Sequence, residues 1–266
     1  RDSEHVRTAV HTAVTVALIL GVLLTIGGLR FTRPLLIWMN TPEEVLEDAV
    51  LYLRIYSGGM VFNVLYNMMA GILNAAGNSR RSLLYLAAAA FTNIFMDVLL
   101  IAVLKMGVAG AAIATDMSQA ASCILAFLFP LRVPADYQVH IPELRLNGFM
   151  ALQILRVGLP TGIQNMVISL SNILVQAAVN GYGTAAMAGF GAYLKIDGFN
   201  ILPVLSFSMA ITTFVGQNYG AGNLKRVKKG MWVTLGMCIV YTVVTGALLL
   251  FFSRPALSLF TKDSTV

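Results

Sequence analysis

The chain has 266 residues and a net charge of +6, with 58% hydrophobic and 11% charged side chains. Its mean hydropathy is +0.77. Soluble domains average about 45–50% apolar and 25% charged residues, so this composition excludes an ordinary soluble domain and indicates a membrane protein with several spans. The positive charge does not indicate nucleic-acid binding, because the basic residues lie in short clusters between apolar runs.

Apolar runs long enough to cross about 30 Å of hydrocarbon as helices recur along the chain. We predict seven spans, at residues 9–29, 48–74, 83–104, 107–130, 156–180, 185–214 and 231–252. No ten-residue alternation recurs, as membrane-spanning strands would require. A helix satisfies its own backbone hydrogen bonds in lipid, so the sequence predicts an all-α membrane bundle.

Lysine and arginine are divided unequally between the two sets of loops. The richer set holds Arg1, Arg7, Arg80, Arg81, Arg132, Arg145, Arg156, Lys225, Arg226, Lys228 and Lys229. The alternate set holds Arg30, Arg33, Lys105, Arg254 and Lys262. Because loops rich in these residues face the cytoplasm, we predict that the first residue is cytoplasmic and, after an odd number of spans, that the last is outside.

The stretch over residues 131–155 is the longest and most polar connection. Pro134 and Pro142 exclude one continuous helix across it. We therefore predict four membrane helices over residues 1–130, a cytoplasmic connection over 131–155, and three further helices over 156–266.

An internal repeat links the two ends of the chain. Phe31–Leu36 aligns with Phe252–Leu257, and in both stretches an Arg-Pro pair follows an apolar span. Repeats of half-transporter size are common in secondary carriers. The repeat therefore favours a carrier over a seven-helix receptor or another membrane protein without transport activity.

No motif in the chain indicates catalysis. Cys123 and Cys238 each stand alone in an apolar run, without metal-ligand or redox spacing, and are expected to be small buried side chains. Gly216–Gly222 has the glycines of a phosphate loop but lacks its strand and its Gly-Lys-Ser/Thr ending, so we interpret it as a cytoplasmic turn. We expect no enzymatic activity and no cofactor other than a coupling ion.

Asp97 is the only charged residue between Leu83 and Leu104. An aspartate at the middle of a membrane helix raises the free energy of insertion by about 2.5–3.5 kcal/mol, whereas one leucine or isoleucine lowers it by only about 0.3–0.6 kcal/mol. Such a residue indicates a functional site; a hydrogen bond between helices is the structural alternative. Asn93 lies four residues earlier and therefore shares a helix face with Asp97.

Thr115 is predicted to lie at the same depth as Asp97. Asp97 precedes the turn at Lys105–Gly107 by eight residues and Thr115 follows it by eight, so each lies about 12 Å from the turn in a helical hairpin. Carboxylate, amide and hydroxyl oxygens suit Na⁺, and a carboxylate also holds a proton. We predict a cation-binding, coupling site of Asp97, Asn93 and Thr115.

Uncharged polar side chains recur at helical spacing in two other spans. The candidates for a substrate cavity are Asn63, Asn67, Asn165, Ser169, Asn172 and Gln176. Hydrogen bonding between helices explains the same pattern, so both interpretations stay open. The sequence assigns no role to Asp116, Lys195 or Asp197.

Five stretches resemble the multidrug and toxic compound extrusion (MATE) family, and the resemblance extends over nearly the whole chain. They are Tyr66–Asn67 with Gly71–Ser79, Asn93–Asp97, Gly107–Thr115, Gly158–Pro160 and Thr213–Gly222. Their order and spacing together are specific, although each stretch alone is weak. The resemblance implies an inverted V-shaped fold of two six-helix lobes, of which this chain is a fragment covering helices three to nine.

The resemblance also implies a function. Members export drugs or organic cations across the plasma membrane in exchange for Na⁺ or H⁺; a related flippase for a lipid-linked substrate is the alternative. The family's cation site implies roles for Asn93, Asp97 and Thr115, together with an aspartate of helix one. Some members place a glutamate on helix seven, where this chain has Ile168. The implied partners are the lipid bilayer, a small-molecule drug and the remaining helices.

Overall fold

Helices account for almost all of the structure, a computed structural model that describes residues 3–39, 41–182 and 184–252. The described helices, in chain order, are α1 Ser3–Trp38, α2 Glu43–Gly58, α3 Met60–Ala75, α4 Ser79–Asp97, α5 Gly107–Arg132, α6 Gly148–Asn180, α7 Thr184–Gly220 and α8 Leu224–Phe251. A π-helical turn, Val98–Val103, follows α4, and a 3₁₀ turn, Ile141–Glu143, precedes α6. The described residues contain no strand, which confirms the all-α prediction.

Six of the described helices are long and apolar enough to cross a membrane: α1, α4 with its π turn, α5, α6, α7 and α8. The predicted second span is different. Residues 48–74 do not form one helix, because α2 ends at Gly58 and α3 begins at Met60. The Gly59 N–H bonds the Tyr56 carbonyl oxygen at 3.2 Å, a tightened turn of the kind that interrupts the regular helical ladder.

Several predicted helix ends are also wrong, and three of them change an interpretation. Helix α1 continues through Pro34 to Trp38, so the first Arg-Pro pair is not an exit from the helix. Helix α6 begins at Gly148, inside the predicted connection, and α7 extends to Gly220, through most of the predicted turn. Hydropathy marks where the apolar segment ends, whereas a helix continues while its backbone bonds and polar side chains are satisfied. Arg1, Arg254, Lys262, Val266 and the second repeat copy beyond Phe252 lie outside the described residues.

The chain divides into two compact units, residues 1–157 and 158–266. In the first unit, α1 packs against α2 and α3, and α5 packs against α2, α3 and α4. Its core is formed by Val10, Val14, Tyr66, Met69, Cys123, Ala126 and Val139. In the second unit, α7 and α8 pack against each other.

The segment between α5 and α6, residues 133–147, is here called the connector. Pro134 and Pro142 lie within it, and no helix crosses it continuously, as predicted. Val139 is only 1% exposed and packs into the core of the first unit, and its N–H bonds the Pro130 carbonyl oxygen at 3.2 Å. At its end, the Asn147 side chain accepts a hydrogen bond from the Met150 N–H at 3.1 Å, which caps α6.

Candidate functional site

Asp97 is the last residue of α4, and its side chain is partly exposed. Asn93, one turn earlier on the same helix, is partly exposed as well. Within the described chain, neither side chain has a hydrogen bond or an ion pair. A charged carboxylate without a partner inside an apolar span is costly, so Asp97 stays a candidate for binding a ligand, and this role is a prediction.

A π-helical turn begins directly after Asp97, at Val98. Its wider ladder ends with the Leu104 N–H bonded to the Leu99 carbonyl oxygen at 2.9 Å and the Met106 N–H bonded to the Leu100 carbonyl oxygen at 2.9 Å. Such turns are rare in proteins overall. Those that do occur lie frequently at functional sites. The sequence predicts a regular helix here, since hydropathy does not distinguish a π turn from an α turn.

The α4–α5 hairpin places Asp97 and Thr115 at similar depth. A Cβ on Gly110 of α5 would lie 3.2 Å from the backbone carbon of Leu100, so the two backbones approach closely at that level. Asp97 lies three residues before Leu100, and Thr115 lies five residues after Gly110. At the helical rise per residue, these separations are about 4.5 and 7.5 Å along the helices. The difference in depth along the helices is about 3 Å.

The Thr115 hydroxyl donates to the Ala111 carbonyl oxygen at 3.0 Å. This bond uses the hydroxyl proton and leaves the oxygen lone pairs available to a cation. Asn93, Asp97 and Thr115 thus offer an amide, a carboxylate and a hydroxyl oxygen from two packed helices. Their role in binding a cation stays a prediction.

Asp116 is one of the three residues to which the sequence assigned no role. Its carboxylate lies against Gly59, the residue that separates α2 from α3. A Cβ on Gly59 would come within 2.8 Å of Oδ2 of Asp116 and closer still to its Oδ1 and Cγ, so any larger residue at this position requires the carboxylate to move. The signal in the sequence is the run Ser57-Gly58-Gly59 inside a predicted span, since such residues accompany sharp helix kinks.

The predicted cavity residues fall in both units. Asn67 donates its side-chain amide to the Asn63 carbonyl oxygen at 2.9 Å and to Oδ1 of Asn63 at 3.1 Å, so these two amides satisfy each other along α3. On α6, Asn165, Ser169 and Asn172 are exposed, whereas Gln176 is partly buried. A role in substrate binding stays a prediction for all six residues.

The comparison with known families decides the kind of protein. The family model MatE matches residues 1–99 and 160–266. The chain belongs to the MatE family. The resemblance to MATE transporters is therefore confirmed, with three of the five stretches inside the matched residues, and the chain is a multi-pass membrane protein of a transporter family.

Relatives of this MatE chain include two bacterial proteins and a solved structure. "Probable multidrug resistance protein YpnP" of Bacillus subtilis is 35% identical over 204 residues, which cover 76% of this chain and 45% of that protein. "Probable multidrug resistance protein NorM" of Thermotoga maritima is 29% identical over 275 residues, which cover 100% of this chain and 58% of that protein. A structure of an outward-facing multidrug resistance MATE family transporter matches with a TM-score of 0.86 at 27% identity, over 96% of this chain and 57% of that one. The chain thus spans about half the length of the relatives it matches.

Proposed function

We propose that this MatE chain is part of an antiporter that exports drugs or organic cations in exchange for Na⁺ or H⁺. The observation that supports this function is the unpaired carboxylate of Asp97, with the neutral oxygens of Asn93 and Thr115 at similar depth. The names of its relatives, which describe multidrug resistance proteins, support drugs as the substrate class.

Asp97 provides a group whose charge or ion occupancy changes inside the membrane. In the empty state, its negative charge lacks both water and a counter-charge, which destabilises that arrangement of the helices. A bound Na⁺ or a proton removes this cost. The ion therefore shifts the balance between two arrangements of the carrier by the difference in its affinity for them.

The substrate pathway needs walls from more than these helices. In secondary carriers, binding sites lie near the bilayer midplane between repeats. We propose that the described helices supply the coupling site and part of that wall, and that the remaining helices of the complete carrier supply the rest.

The test replaces Asp97 with asparagine in the complete carrier, reconstituted in liposomes. Efflux of a fluorescent organic cation is measured under an imposed Na⁺ gradient or pH gradient. Asp97→Asn keeps the shape of the side chain and removes the charge, so ion-coupled efflux should be abolished. Thr115→Ala removes one neutral ligand and should weaken ion affinity by roughly 2- to 10-fold, the equivalent of about 0.5–1.4 kcal/mol.

Asp197→Asn is the matched control, because it removes a carboxylate from α7 by the same change of atoms. It should leave ion dependence close to the parental value. If Asp97→Asn exports the dye at the parental rate with the same ion dependence, Asp97 only supports packing and the proposed coupling site is wrong.

A further inference from the structure

Two histidines and a glutamate meet where the start of α1 lies against the connector. His11 is in α1, His140 directly precedes the 3₁₀ turn of the connector, and Glu143 is the last residue of that turn. One ligand atom from each of the three side chains lies within 4.8 Å of the other two. All three residues belong to the first unit, and none is part of the site around Asp97. We call these residues the His-His-Glu cluster.

His11 is only 2% exposed, and both of its ring nitrogens are oriented. Nδ1 lies 2.7 Å from the Arg7 carbonyl oxygen, and because a carbonyl only accepts, Nδ1 holds the proton and donates it. Nε2 is therefore unprotonated, and it accepts the His140 backbone N–H at 3.0 Å. In metal-binding histidines one ring N–H likewise bonds a backbone carbonyl, and the other nitrogen, which here accepts the His140 N–H, points its lone pair at the ion.

His140 has a polar atom without a partner. Its Nδ1 is buried and makes no hydrogen bond within the described chain. Leaving a buried polar group unsatisfied is costly, so such atoms are uncommon unless something else binds them. The ring of His140 stacks on that of His11, with 6.2 Å between centroids and 19° between planes, which holds the two rings side by side.

Glu143 supplies the third side chain. It follows His140 by three residues across a 3₁₀ turn, in which side chains three apart lie above one another on the same side. Its carboxylate also pairs with Arg7, which holds it beside the two rings. Glu143 and His11 both line a cavity of about 460 Å³ that opens to solvent, and His140 lines a second cavity of about 250 Å³, so an ion and a water molecule have access to the cluster.

We propose that the His-His-Glu cluster binds a zinc ion through Nε2 of His11, Nδ1 of His140 and a carboxylate oxygen of Glu143. Two imidazole nitrogens and one carboxylate oxygen are a ligand set that suits Zn²⁺, with water as the fourth ligand. Binding replaces the hydrogen bond between His11 Nε2 and the His140 N–H, satisfies the unpartnered Nδ1 of His140, and ties α1 to the connector. The proposal does not depend on antiport.

The charges around the cluster allow a divalent cation. The cavity is lined by two acidic and two basic side chains, Glu4, Glu143, Arg7 and Arg145. Arg7 is the group that zinc must displace, in part, from Glu143. The surface of Glu143 is exposed enough for its carboxylate to turn from the guanidinium to the ion without disturbing the buried rings.

The experiment measures zinc binding to the full chain in detergent, with any affinity tag removed and the protein stripped of metal by a chelator. Titration with ZnCl₂ in a calorimeter should give one tight equivalent, and Co²⁺ in its place should give the visible spectrum of a four-coordinate site. His140→Ala should abolish both signals. Glu143 is exposed, so Glu143→Gln should leave the fold intact, and it should weaken binding at least about 10-fold.

Two variants serve as controls. Glu4→Gln removes an acidic group from the same cavity, and His5→Ala removes a histidine from the same helix, so both should bind zinc as the parent does. Absence of a tight equivalent in the parent protein would overturn the proposal. It would also be overturned if His140→Ala and Glu143→Gln, both folded by size-exclusion chromatography, retain parental affinity.

Discussion

The α4–α5 hairpin and the α7–α8 hairpin are both pairs of apolar helices joined by a short turn, yet their helices contact each other in different ways. In the first hairpin, small residues let the backbones approach, with Gly110 against Leu100. In the second, larger side chains meet: the Tyr241 hydroxyl donates to the Asn200 carbonyl oxygen at 3.0 Å, and its ring meets Phe207 edge to face.

This difference shows two ways of holding helices together where hydrophobic burial contributes little. Lipid chains are as apolar as leucine, so helices associate through close packing or through hydrogen bonds between them. Close packing leaves no room for a larger side chain at one position, whereas the hydrogen bond depends on one polar group. The closely packed hairpin is also the one that contains Asp97 and Asp116.

Gly110→Val tests the close packing and should have the largest effect on stability. The added atoms overlap Leu100 and Met106, and overpacking of this kind typically costs about 1–3 kcal/mol. We expect a clear fall in the thermal midpoint of the full chain in detergent, measured as the loss of monodisperse protein after heating. Gly246→Val in α8 is the matched control, because a Cβ there meets nothing within 4 Å. Equal midpoints for the two variants would contradict close packing at Gly110.

Gly59→Ala tests whether the break between α2 and α3 depends on Asp116. The new Cβ displaces the carboxylate, so we expect destabilisation of about 1–2 kcal/mol, partly offset by the higher helix propensity of alanine. In an Asp116→Ala background the same change should cost much less, because the clashing atoms are gone. A double-mutant cycle on thermal midpoints should give a coupling equivalent to about 0.5–2 kcal/mol. Additive effects would show that the two residues do not interact.

Tyr241→Phe tests the hydrogen bond of the second hairpin and should have the smallest effect. Hydrogen bonds between membrane helices average about 0.6 kcal/mol, with a maximum near 1.7 kcal/mol. Tyr193→Phe in α7 is the control, since its ring contacts Phe190 but its hydroxyl has no hydrogen bond within the described chain. We expect a small drop in the thermal midpoint for Tyr241→Phe and none for Tyr193→Phe. A loss as large as that of Gly110→Val would mean that the two hairpins are not held differently.

The candidate coupling site was predictable in part. Asp97 stands out because a charge inside an apolar run is expensive, and helical spacing associates Asn93 with it. Counting residues from the turn also placed Thr115 at a similar depth, a geometry that the Gly110–Leu100 contact supports. The position of Asp116 was not predictable, because its neighbour Gly59 lies 57 residues away between two other helices, and no local pattern reports such a contact.

The sequence by itself determined that this is an all-α membrane protein of the MatE family, and it singled out the one charge in the run from Leu83 to Leu104. These conclusions depend on hydropathy, helical spacing and motif order, which are properties of neighbouring residues. Only the tertiary structure decided the break at Gly59, the π turn after Asp97 and the meeting of His11 with the connector. Each of these depends on which backbone or side chain of a distant segment comes into contact, and the same local sequence permits several such partners.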